Sequence, residues 1–565
     1  MDAAILNATA EAIVASGLSK VGYEYVNSDD CWMNAARDAN GSQVANPAKF
    51  PQGFKAVADY IHSVSGLPTH PRRVSRRRDG SPDHLAHYPA QLGLKSGLYT
   101  AKGPRTCAGF AASCQHEVQD AAQWAEWGID YLKDDSCSNC RNDDNEDYHM
   151  MWLAMELTGR PMVLTVEGNP DDALITKGGY GNAKRVGHDI SPNWGSMTSL
   201  IDIGAPLWPF AHNSSNPTFG GWWNDLDMIE VGNAPDFVCG ADAPSLARCQ
   251  AHYSMWCIMK APLILGNDIP NMSAATFSVL GNAEAAAVSQ DSYGVQAQRV
   301  NTAALPPALA PRSLAHGRGN HAVLARCEPR AARRPSQRWA LRADGRLATA
   351  DAAGTEYCLG SVDGALSEGS WSGVECSAPT AARFAASAPR AGDGAVELAL
   401  LSAAEPEQRG AALTWNNGRA TGPAPHTRHV LAASAGAARE REQAAGRARW
   451  LLAESGAVVA ADRGALGADD GAGGRGAPGG DYCLDLVAGQ LETWCGALAG
   501  GRTAVALFNR SPAAAPITVT FAACNASATN AVRDIWAAAD RGQASGSYTA
   551  TVASEAVAFL VLTPA

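Results

Sequence analysis

The run YLKDDSC at residues 131–137 most constrains how this chain can fold. Its first residues can be buried in a strand, and Lys133, Asp134 and Asp135 then follow without an intervening turn residue. A lysine and two carboxylates at the end of a strand contribute little to packing. The carboxyl ends of parallel strands are, however, where α/β barrels carry their catalytic groups. The run therefore predicts a strand whose tip belongs to a polar site.

Five further runs share this design, an apolar alternation that ends in acidic residues: 21–32, 161–167, 183–190, 220–228 and 262–268. Helical patterns such as VQDAAQWAEW lie between several of them. Strands that alternate with helices are typical of a parallel sheet flanked by helices. The sequence therefore predicts an α/β fold in which charged strand ends meet in one pocket.

The phrases that contain these strand ends resemble those of a known family. They are GYEYVNSDDCW, LGLKSGLYT, TCAGF, WGIDYLKDDSC, GGWWNDLDM, PLILGNDIPNM and AVSQDSYGVQ, with a further match over residues 491–564. In this order they resemble glycoside hydrolase family 27, the α-galactosidases (melibiases) and α-N-acetylgalactosaminidases. The resemblance implies a (β/α)8 TIM barrel followed by an antiparallel β-sandwich domain. It also implies a retaining exo-α-galactosidase that acts on an α-galactoside without a cofactor or a metal.

The resemblance places the nucleophile at Asp135 and the acid/base at Asp189. A retaining glycosidase holds two such carboxyl groups roughly 5–5.5 Å apart. The residue types agree, because Lys133 points to the same side of the strand as Asp135 and its charge favours the ionised carboxylate. Asp189 must instead hold a proton, which requires partial burial or a carboxylate neighbour such as Asp225 or Asp227.

The resemblance assigns the remaining polar residues to sugar recognition. The residues expected to bind hydroxyl groups are Asp29 and Asp30 (O4 and O6), Lys133 (O3 and O4), and Arg185 and Asp227 (near O2). Trp32 and Tyr99 are expected to form apolar walls against the C–H face of the ring.

Glu167 determines the expected specificity. The family's galactosidases have a glutamate here, whereas its N-acetylgalactosaminidases have a small residue that admits the acetamido group. Asp29 leaves room for C6, which argues against a β-L-arabinopyranosidase. The chain departs from the family at Asp134, where an aromatic residue is usual, and at Gly168, where tryptophan is usual. An altered pocket wall is therefore expected.

The acidic residues also allow other interpretations. The acidic pairs that could ligate Ca²⁺ or Mg²⁺ are Asp29 with Asp30, Asp134 with Asp135, and Asp225 with Asp227. A second functional class is a galactose-binding, lectin-like protein that has lost catalysis. The family motifs disfavour a metal site, and the intact catalytic carboxylates favour an enzyme.

Composition limits the cellular setting. A net charge of −11 argues against a nucleic-acid partner, and no apolar run is long enough to predict a membrane span. The 14 cysteines favour an oxidising compartment, so a secreted, vacuolar, lysosomal or other lumenal location is expected. Sequons for N-glycosylation, which fit a glycoprotein, occur at Asn7, Asn40, Asn213, Asn271, Asn509 and Asn525. The oligomeric state stays open and includes a homodimer.

Three disulfides are expected. The resemblance pairs Cys107 with Cys137 beside the nucleophile. Cys239–Cys249 would close a local loop, and Cys114–Cys140 would flank the first pair.

Two segments interrupt the family pattern. The chain begins at the predicted first helix, residues 5–19, so the family's first barrel strand is expected to be missing through truncation. Residues 64–91 are basic and aperiodic, and their removal restores the family pattern. A translated intron is the preferred interpretation, and the alternative is a surface loop.

Three domains are predicted: a catalytic barrel (1–290), a C-terminal β-domain (291–301 with 490–565) and an insertion (302–489). Within the insertion, RWALRADGRLATAD and RWLLAESGAVVAAD align, and YCLGS and YCLDL follow them. Together with a Gln-x-Trp phrase, they resemble the ricin-B-type β-trefoil. A repeated unit is therefore expected, with additional glycan binding by the insertion as a hypothesis. The glycine-rich residues 463–480 are expected to be a flexible loop.

Overall fold

The computed structural model describes the chain in segments. They are residues 1–64, 93–138, 140–141, 144–167, 181–187, 189–211, 222–240, 243–303, 491–511 and 513–565, with the backbone of strands between 320 and 488. Residues 65–91 of the predicted intron and the glycine-rich residues 463–480 lie outside this part of the chain. The translated intron and the flexible loop therefore stay predictions.

The chain divides into two compact units. The first comprises residues 1–185, 212–225 and 262–287, and the second comprises 186–211, 226–261 and 288–565. These limits differ from those of the predicted domains, which stay a prediction.

The helices are α1 (Ala3–Ser16), α2 (Phe54–Ser63), α3 (Glu117–Trp127), α4 (Asp144–Thr158), α5 (Trp194–Gly204), α6 (Ala243–Ile258), α7 (Ala274–Leu280) and α8 (Ala283–Ser289). Among the described residues, no helix is both long and apolar enough to cross a membrane.

A six-stranded parallel sheet forms the centre of the first unit. Its strands, hydrogen-bonded in chain order, are β1 (Tyr25–Asn27), β2 (Lys95–Ala101), β3 (Tyr131–Asp135), β4 (Val163–Val166), β5 (Ala183–Arg185) and β6 (Trp223–Asp225). Gly97 on β2 leaves room for side chains of both neighbouring strands, because a Cβ there would lie 2.0 Å from Asn27 Oδ1 on β1 and 3.0 Å from Tyr131 Cβ on β3. The sheet and its intervening helices have the predicted arrangement of a (β/α)8 barrel.

Two sequence-based predictions in this unit need correction. Residues 262–268 were predicted to be a strand, but only Leu265 forms an isolated bridge. The first helix begins earlier than predicted, because Asp2 accepts the N–H of Ile5 (3.0 Å), and it ends at Gly17, which has φ 86°.

Asp134 is buried on the side of β3 opposite to Lys133 and Asp135. Its side chain is 0% exposed, and neither carboxylate oxygen has a hydrogen-bond partner in the described part of the chain. Burial raises the pKa of the Asp134 carboxyl well above its usual range; Lys102 opposes this effect, and Asp135, Asp147 and Glu117 add to it. Burial therefore favours the protonated form of Asp134 in the folded protein.

The second unit contains an antiparallel β-sandwich. One sheet has the order β24-β23-β26-β21-β20-β7, and β22 pairs with β25. The strands are β7 (Gln298–Ala303), β20 (Leu491–Ala497), β21 (Thr503–Asn509), β22 (Ala515–Thr520), β23 (Thr529–Asp534), β24 (Ala539–Ser545), β25 (Ser547–Val552) and β26 (Ala556–Pro564). Val505, Leu507, Ile517 and Leu560 belong to its core. The burial of β22 alternates strictly, as expected for a strand with one face in the core.

The sequon at Asn509 cannot carry a glycan in this fold. The Asn509 side chain is 0% exposed, and its amide donates to the carbonyl oxygens of Ala513, Val552 and Ala553 at 2.8–3.0 Å. This amide orders the turn after β21, which explains why asparagine is present there. Asn40, Asn271 and Asn525 are exposed.

Four charged side chains form a buried network in the second unit. Arg510 contacts Asp202 at 2.8 Å and Glu492 at 3.2 Å, and Arg299 contacts the same two carboxylates at 2.6 and 3.1 Å. Arg510 and Glu492 are at most 1% exposed. Trp494 donates its indole N–H to Glu492 at 2.8 Å. The network connects α5 to β7, β20 and the end of β21.

Ten antiparallel strands are described in the insertion. In sheet order they are β13 (Arg383–Ala386), β14 (Val396–Ser402), β17 (Trp450–Leu452), β18 (Val458–Ala460), β19 (Tyr482–Ala488), β8 (Asn320–Arg326), β12 (Trp371–Val374), β11 (Glu356–Ser361), β10 (Leu347–Ala350) and β9 (Ala340–Leu341). A separate pair consists of β15 (Leu413–Trp415) and β16 (Leu431–Ala433).

The predicted repeat is a repeated backbone element. Each aligned phrase forms a hairpin, β9–β10 and β17–β18, and the following Tyr-Cys-Leu phrase supplies a third strand. The register is the same in both copies: Ala348 pairs with Ala340 and Cys358 in the first, and Val459 pairs with Leu451 and Cys483 in the second. This confirms the repeat. The trefoil resemblance stays a prediction.

We predict that Asp134→Asn changes the pH dependence of stability. The pKa of Asp134 is higher in the folded state than in the unfolded state. Its contribution to the free energy of unfolding is therefore fully present below the unfolded-state pKa of about 3.9 and is lost as pH rises through the folded-state pKa. The variant should match the parent near pH 4 and melt several degrees higher at pH 8, at roughly 2–4 °C per kcal/mol. Asp59→Asn, at an exposed carboxylate, is the control and should show no such trend in scanning calorimetry. A pH-independent difference for Asp134→Asn would contradict the assignment.

We predict that Arg510→Met destabilises the second unit by about 3–5 kcal/mol, because it leaves Asp202 and Glu492 buried without a full charge partner. Denaturant unfolding followed by tryptophan fluorescence measures the loss. Arg541→Met, which breaks an exposed pair with Asp534, is the matched control and should unfold at nearly the parental denaturant concentration. If both substitutions lowered the free energy of unfolding equally, the buried network would stabilise the protein no more than an exposed ion pair does.

Candidate active site

The parallel register places Tyr99 beside Lys133. Tyr99 on β2 pairs with Lys133 on β3, and Ala101 pairs with Asp135. Since successive side chains of a strand point to opposite faces, Tyr99, Lys133 and Asp135 share one face of the sheet. The sequence predicted this grouping for Lys133 and Asp135.

Asp135 is held in a defined orientation. Its Oδ2 accepts the hydroxyl of Tyr99 at 2.6 Å, and its Oδ1 accepts the N–H of Ser136 at 2.6 Å. Asp135 is 5% exposed. Burial and the negative charge of Asp135 raise the pKa of Tyr99, so its hydroxyl stays a donor. Tyr99, which is itself 1% exposed, therefore orients the carboxylate, and its role as an apolar wall stays a prediction.

Lys133 lies among carboxylates. Its Nζ is 3.2 Å from Asp29 Oδ2, 3.9 Å from Glu167 Oε2 and 5.2 Å from the centre of the Tyr99 ring. Burial lowers the pKa of Lys133, but Asp29 and Glu167 outweigh this effect and raise it above the usual lysine value. The carboxylates therefore favour the charged form of Lys133.

Glu167 and Arg185 complete a charged quartet, which consists of Asp29, Lys133, Glu167 and Arg185. Glu167 Oε1 lies 3.5 Å from Arg185 Nη1, and these two residues are 6% and 4% exposed. Two cations and two carboxylates thus alternate at the ends of β1, β3, β4 and β5. Such a quartet offers both donors and acceptors to the hydroxyl groups of a sugar.

Asp30 is fixed by backbone donors. Its Oδ1 accepts the N–H of Cys31 at 2.6 Å, and its Oδ2 accepts the N–H of Ala108 at 2.9 Å. Asp29 accepts the N–H of Asp30 at 2.7 Å and has its side chain 52% exposed. Both carboxylates lie in the segment after β1, as the sequence predicted.

Trp32 packs against aromatic side chains of α2 and α3. Its side chain is 1% exposed, its indole N–H donates to the carbonyl of Tyr99 at 2.8 Å, and its ring packs edge-on against Phe54 and Trp127. Trp32 therefore supports β2, and its role as a wall of the sugar site stays a prediction.

The predicted altered pocket wall at Asp134 also needs correction. Period-two alternation directs this side chain away from Lys133 and Asp135, and its charged neighbours Glu117 and Asp147 belong to α3 and α4. The family's aromatic residue is thus replaced at a position that does not face the site. Gly168 lies outside the described residues.

Asp189 and Asp227 belong to the second unit. Asp227 has φ 73°, and its Oδ2 accepts the N–H of Ile190 at 2.7 Å, while its Oδ1 accepts the N–H of Met228 at 2.8 Å. The indole N–H of Trp256 donates to the Asp227 carbonyl at 2.8 Å. Asp227 therefore holds the segment that follows Asp189. Asp189 is exposed, and the carboxylate neighbour considered for its role as an acid stays a prediction.

All three expected disulfides are present, Cys107–Cys137, Cys114–Cys140 and Cys239–Cys249, together with Cys495–Cys524. The first lies against the candidate nucleophile. Cys107 Sγ is 3.6 Å from Asp135 Oδ2, and Cys137 Sγ is 3.4 Å from the Tyr99 hydroxyl. The fourth was not predicted, because neither the resemblance nor a neighbouring expected pair pointed to it.

One group of three possible metal ligands lies within reach of a single ion in the described part of the chain: Cys107, Asp135 and Cys137. The acidic pairs considered as Ca²⁺ or Mg²⁺ ligands form no such group among these residues. The two carboxylates of Asp134 and Asp135 point to opposite faces of β3, which explains why that pair cannot chelate one ion.

Curated relatives match the chain over about half of its length. It is 37% identical over 300 residues to an alpha-galactosidase from Oryza sativa subsp. japonica, which covers 53% of this chain and 62% of that protein. It is 35% identical over 311 residues to Alpha-galactosidase A from Cellvibrio japonicus, which covers 53% of this chain and 66% of that protein. The chain thus spans less than two thirds of the length of these relatives.

Solved structures share the fold. The alpha-galactosidase I of Mortierella vinacea aligns with a TM-score of 0.56 at 21% identity, over 100% of this chain and 94% of that chain. An alpha-galactosidase of Saccharomyces cerevisiae aligns with a TM-score of 0.55 at 18% identity, over 100% and 94% of the two chains.

Two family profiles account for both ends of the chain. The profile described as alpha galactosidase A (melibiase) matches residues 1–69 and 65–291, which together make up more than half of the 565 residues. The profile of the alpha galactosidase C-terminal beta sandwich domain matches residues 488–562. The chain therefore belongs to the alpha galactosidase A (melibiase) family.

Proposed function

We propose that this protein is a retaining exo-α-galactosidase that hydrolyses terminal α-D-galactosyl residues of oligosaccharides or glycoconjugates. The observation that supports it most is the oriented Asp135 carboxylate, held by Tyr99 and the Ser136 N–H beside the charged quartet. A nucleophile needs such a fixed, ionised carboxylate, and a sugar needs adjacent donors and acceptors. The alpha-galactosidase names of the curated relatives support the same activity.

The proposed reaction is a double displacement. Asp189 protonates the glycosidic oxygen while an Asp135 oxygen attacks C1, which breaks the C1–O bond and forms a galactosyl ester on Asp135. Asp189, now ionised, takes a proton from water, and the water oxygen attacks C1 and releases Asp135. Tyr99 contributes in the second step, because its hydroxyl stabilises the carboxylate that leaves.

Recognition is proposed to follow the positions of the charged groups. Asp29 and Asp30 accept hydrogen bonds from O4 and O6, and Lys133 donates to O3 and O4. Arg185 and Asp227 are assigned to the region of O2. Glu167, held by Arg185, fills the space that a 2-acetamido group would need. This favours an α-galactoside over an α-N-acetylgalactosaminide.

The cellular setting and further partners are also proposals. Four disulfides in the described part of the chain support a secreted or lumenal location. The repeated hairpin and strand of the insertion support a modular element there, for which we retain additional glycan binding as a hypothesis.

Asp135→Asn should lower kcat for p-nitrophenyl α-galactoside by on the order of 10³-fold or more, about 4 kcal/mol in barrier, because no covalent intermediate can form. Asp134→Asn, at the neighbouring carboxyl on the other face of β3, is the matched control and should keep most of the turnover. Similar losses in both variants would contradict the assignment of Asp135.

Azide distinguishes the two carboxylates. In Asp135→Ala it should attack C1 from the vacated face and yield β-galactosyl azide. In Asp189→Ala it should attack the galactosyl ester and yield the α-anomer. Restoration of turnover with the same anomer in both variants would refute the proposed roles.

Glu167→Ser should shift specificity. The specificity constant for the α-galactoside should fall by about 10–100-fold, because a charged partner of Lys133 and Arg185 is lost, and that for the α-N-acetylgalactosaminide should rise. Glu156→Gln, at an exposed residue of α4, is the control. A parallel fall for both substrates would mean that Glu167 does not select against the acetamido group.

A further inference from the structure

We propose that Cys107, Cys137 and Asp135 form a latent binding site for a thiophilic divalent cation such as Zn²⁺, which is created when their disulfide is reduced. Occupation of this site would block the carboxylate that the proposed function uses as nucleophile. Metal binding itself does not depend on the proposed activity, but inhibition by the metal does.

The three side chains already converge. Their candidate ligand atoms lie within 4.8 Å of one another, and Cys107 Sγ is 3.6 Å from Asp135 Oδ2. Bond lengths to zinc of about 2.3 Å for sulfur and about 2.0–2.2 Å for oxygen place tetrahedral ligands roughly 3.5–3.8 Å apart. The Cα atoms of the two cysteines are 4.9 Å apart, so rotation of their side chains can separate the sulfurs by this amount.

The ligand types select the metal. Two thiolates and one carboxylate suit Zn²⁺ or Cd²⁺ and disfavour Ca²⁺ or Mg²⁺, which require more oxygen ligands. Three protein ligands leave a fourth position for water. Tyr99 stands in a supporting position, because its hydroxyl donates to Asp135 at 2.6 Å and lies 3.4 Å from Cys137 Sγ.

The disulfide is accessible to a reductant from solution, since Cys107 is exposed and Cys137 is partly exposed. Two small-molecule thiols supply two electrons and two protons, and they are oxidised to a disulfide while the Cys107–Cys137 bond breaks into two thiols. The cation then displaces the two thiol protons. In the oxidised protein the sulfurs are bonded to each other, so the site is closed to the metal.

The second disulfide provides a matched comparison. Cys114–Cys140 is in the same unit and closes a similar loop, 26 residues against 30. No third His, Cys, Asp or Glu completes a metal-binding group around it in the part of the chain that the structure describes. Reduction of this bond should therefore create no three-ligand site.

The experiment titrates the full-length, phosphine-reduced protein with Cd²⁺ and follows the ultraviolet charge-transfer band of thiolate-bound Cd²⁺. The parent and the Cys114→Ser/Cys140→Ser variant should both bind one Cd²⁺ at the site. The Cys107→Ser/Cys137→Ser variant should lose this component, and Asp135→Asn should bind at least tenfold more weakly. Unchanged Cd²⁺ binding in the Cys107→Ser/Cys137→Ser variant or in Asp135→Asn would overturn the proposed ligand set.

Two further measurements cover other outcomes. The Cys107→Ser variant has a free Cys137 thiol beside Asp135 and needs no reductant. This variant should bind Cd²⁺ through one thiolate even if complete reduction unfolds the parent. Absence of that band would also overturn the proposal. In the reduced parent, Zn²⁺ should abolish turnover of p-nitrophenyl α-galactoside, and chelation should restore it. Cd²⁺ binding at the site without inhibition would instead refute Asp135 as the nucleophile.

Discussion

The alternation of side chains along β3 is the constraint on which the candidate site depends. Lys133 and Asp135 reach one face, and Asp134 between them must occupy the other. Pairing with both β2 and β4 fixes this register. A shift by one residue would bury Lys133 and Asp135 and move Asp134 into the site. The buried Asp134, which has no hydrogen-bond partner among the described residues, is therefore a cost of placing two functional groups on the opposite face.

Both units stabilise buried charge by the same means. In the charged quartet, Lys133 lies between Asp29 and Glu167, and Arg185 contacts Glu167. In the second unit, Arg510 and Arg299 lie between Asp202 and Glu492. A single buried ion would be unstable, whereas alternating signs reduce the desolvation penalty of each group. In the second unit the network joins elements of one core. In the first it leaves side-chain atoms at the strand ends, where a polar ligand can use them.

The sequence predicted the parts of the site that depend on local pattern. Asp135 and Lys133 were accessible to prediction because a charged strand end is an unusual pattern with few structural explanations. The three disulfides near Cys107, Cys114 and Cys239 were predicted from the family resemblance and from short spacings. The sheet was predicted from strand and helix alternation.

What the sequence did not predict concerns residues whose contacts depend on distant neighbours. Trp32 follows two site carboxylates in the chain, and its packing against Phe54 and Trp127 has no local signature. Asn509 fits a sequon, and only the carbonyl groups around it exclude glycosylation. The hydrogen bond from the Ile190 N–H to Asp227 could not be predicted either, because a backbone N–H has no sequence signature.

The two copies of the hairpin and third strand in the insertion have the same register but different connections. The second copy carries residues 463–480, rich in glycine, between its hairpin and its third strand, and the first copy has a short connection at the same place. The cost of closing a loop grows only with the logarithm of its length. The two copies therefore keep the same strand pairing with connections of different length. That connection is consequently a point at which foreign sequence could be introduced, for example a purification tag or a reporter peptide, without altering the pairing around it.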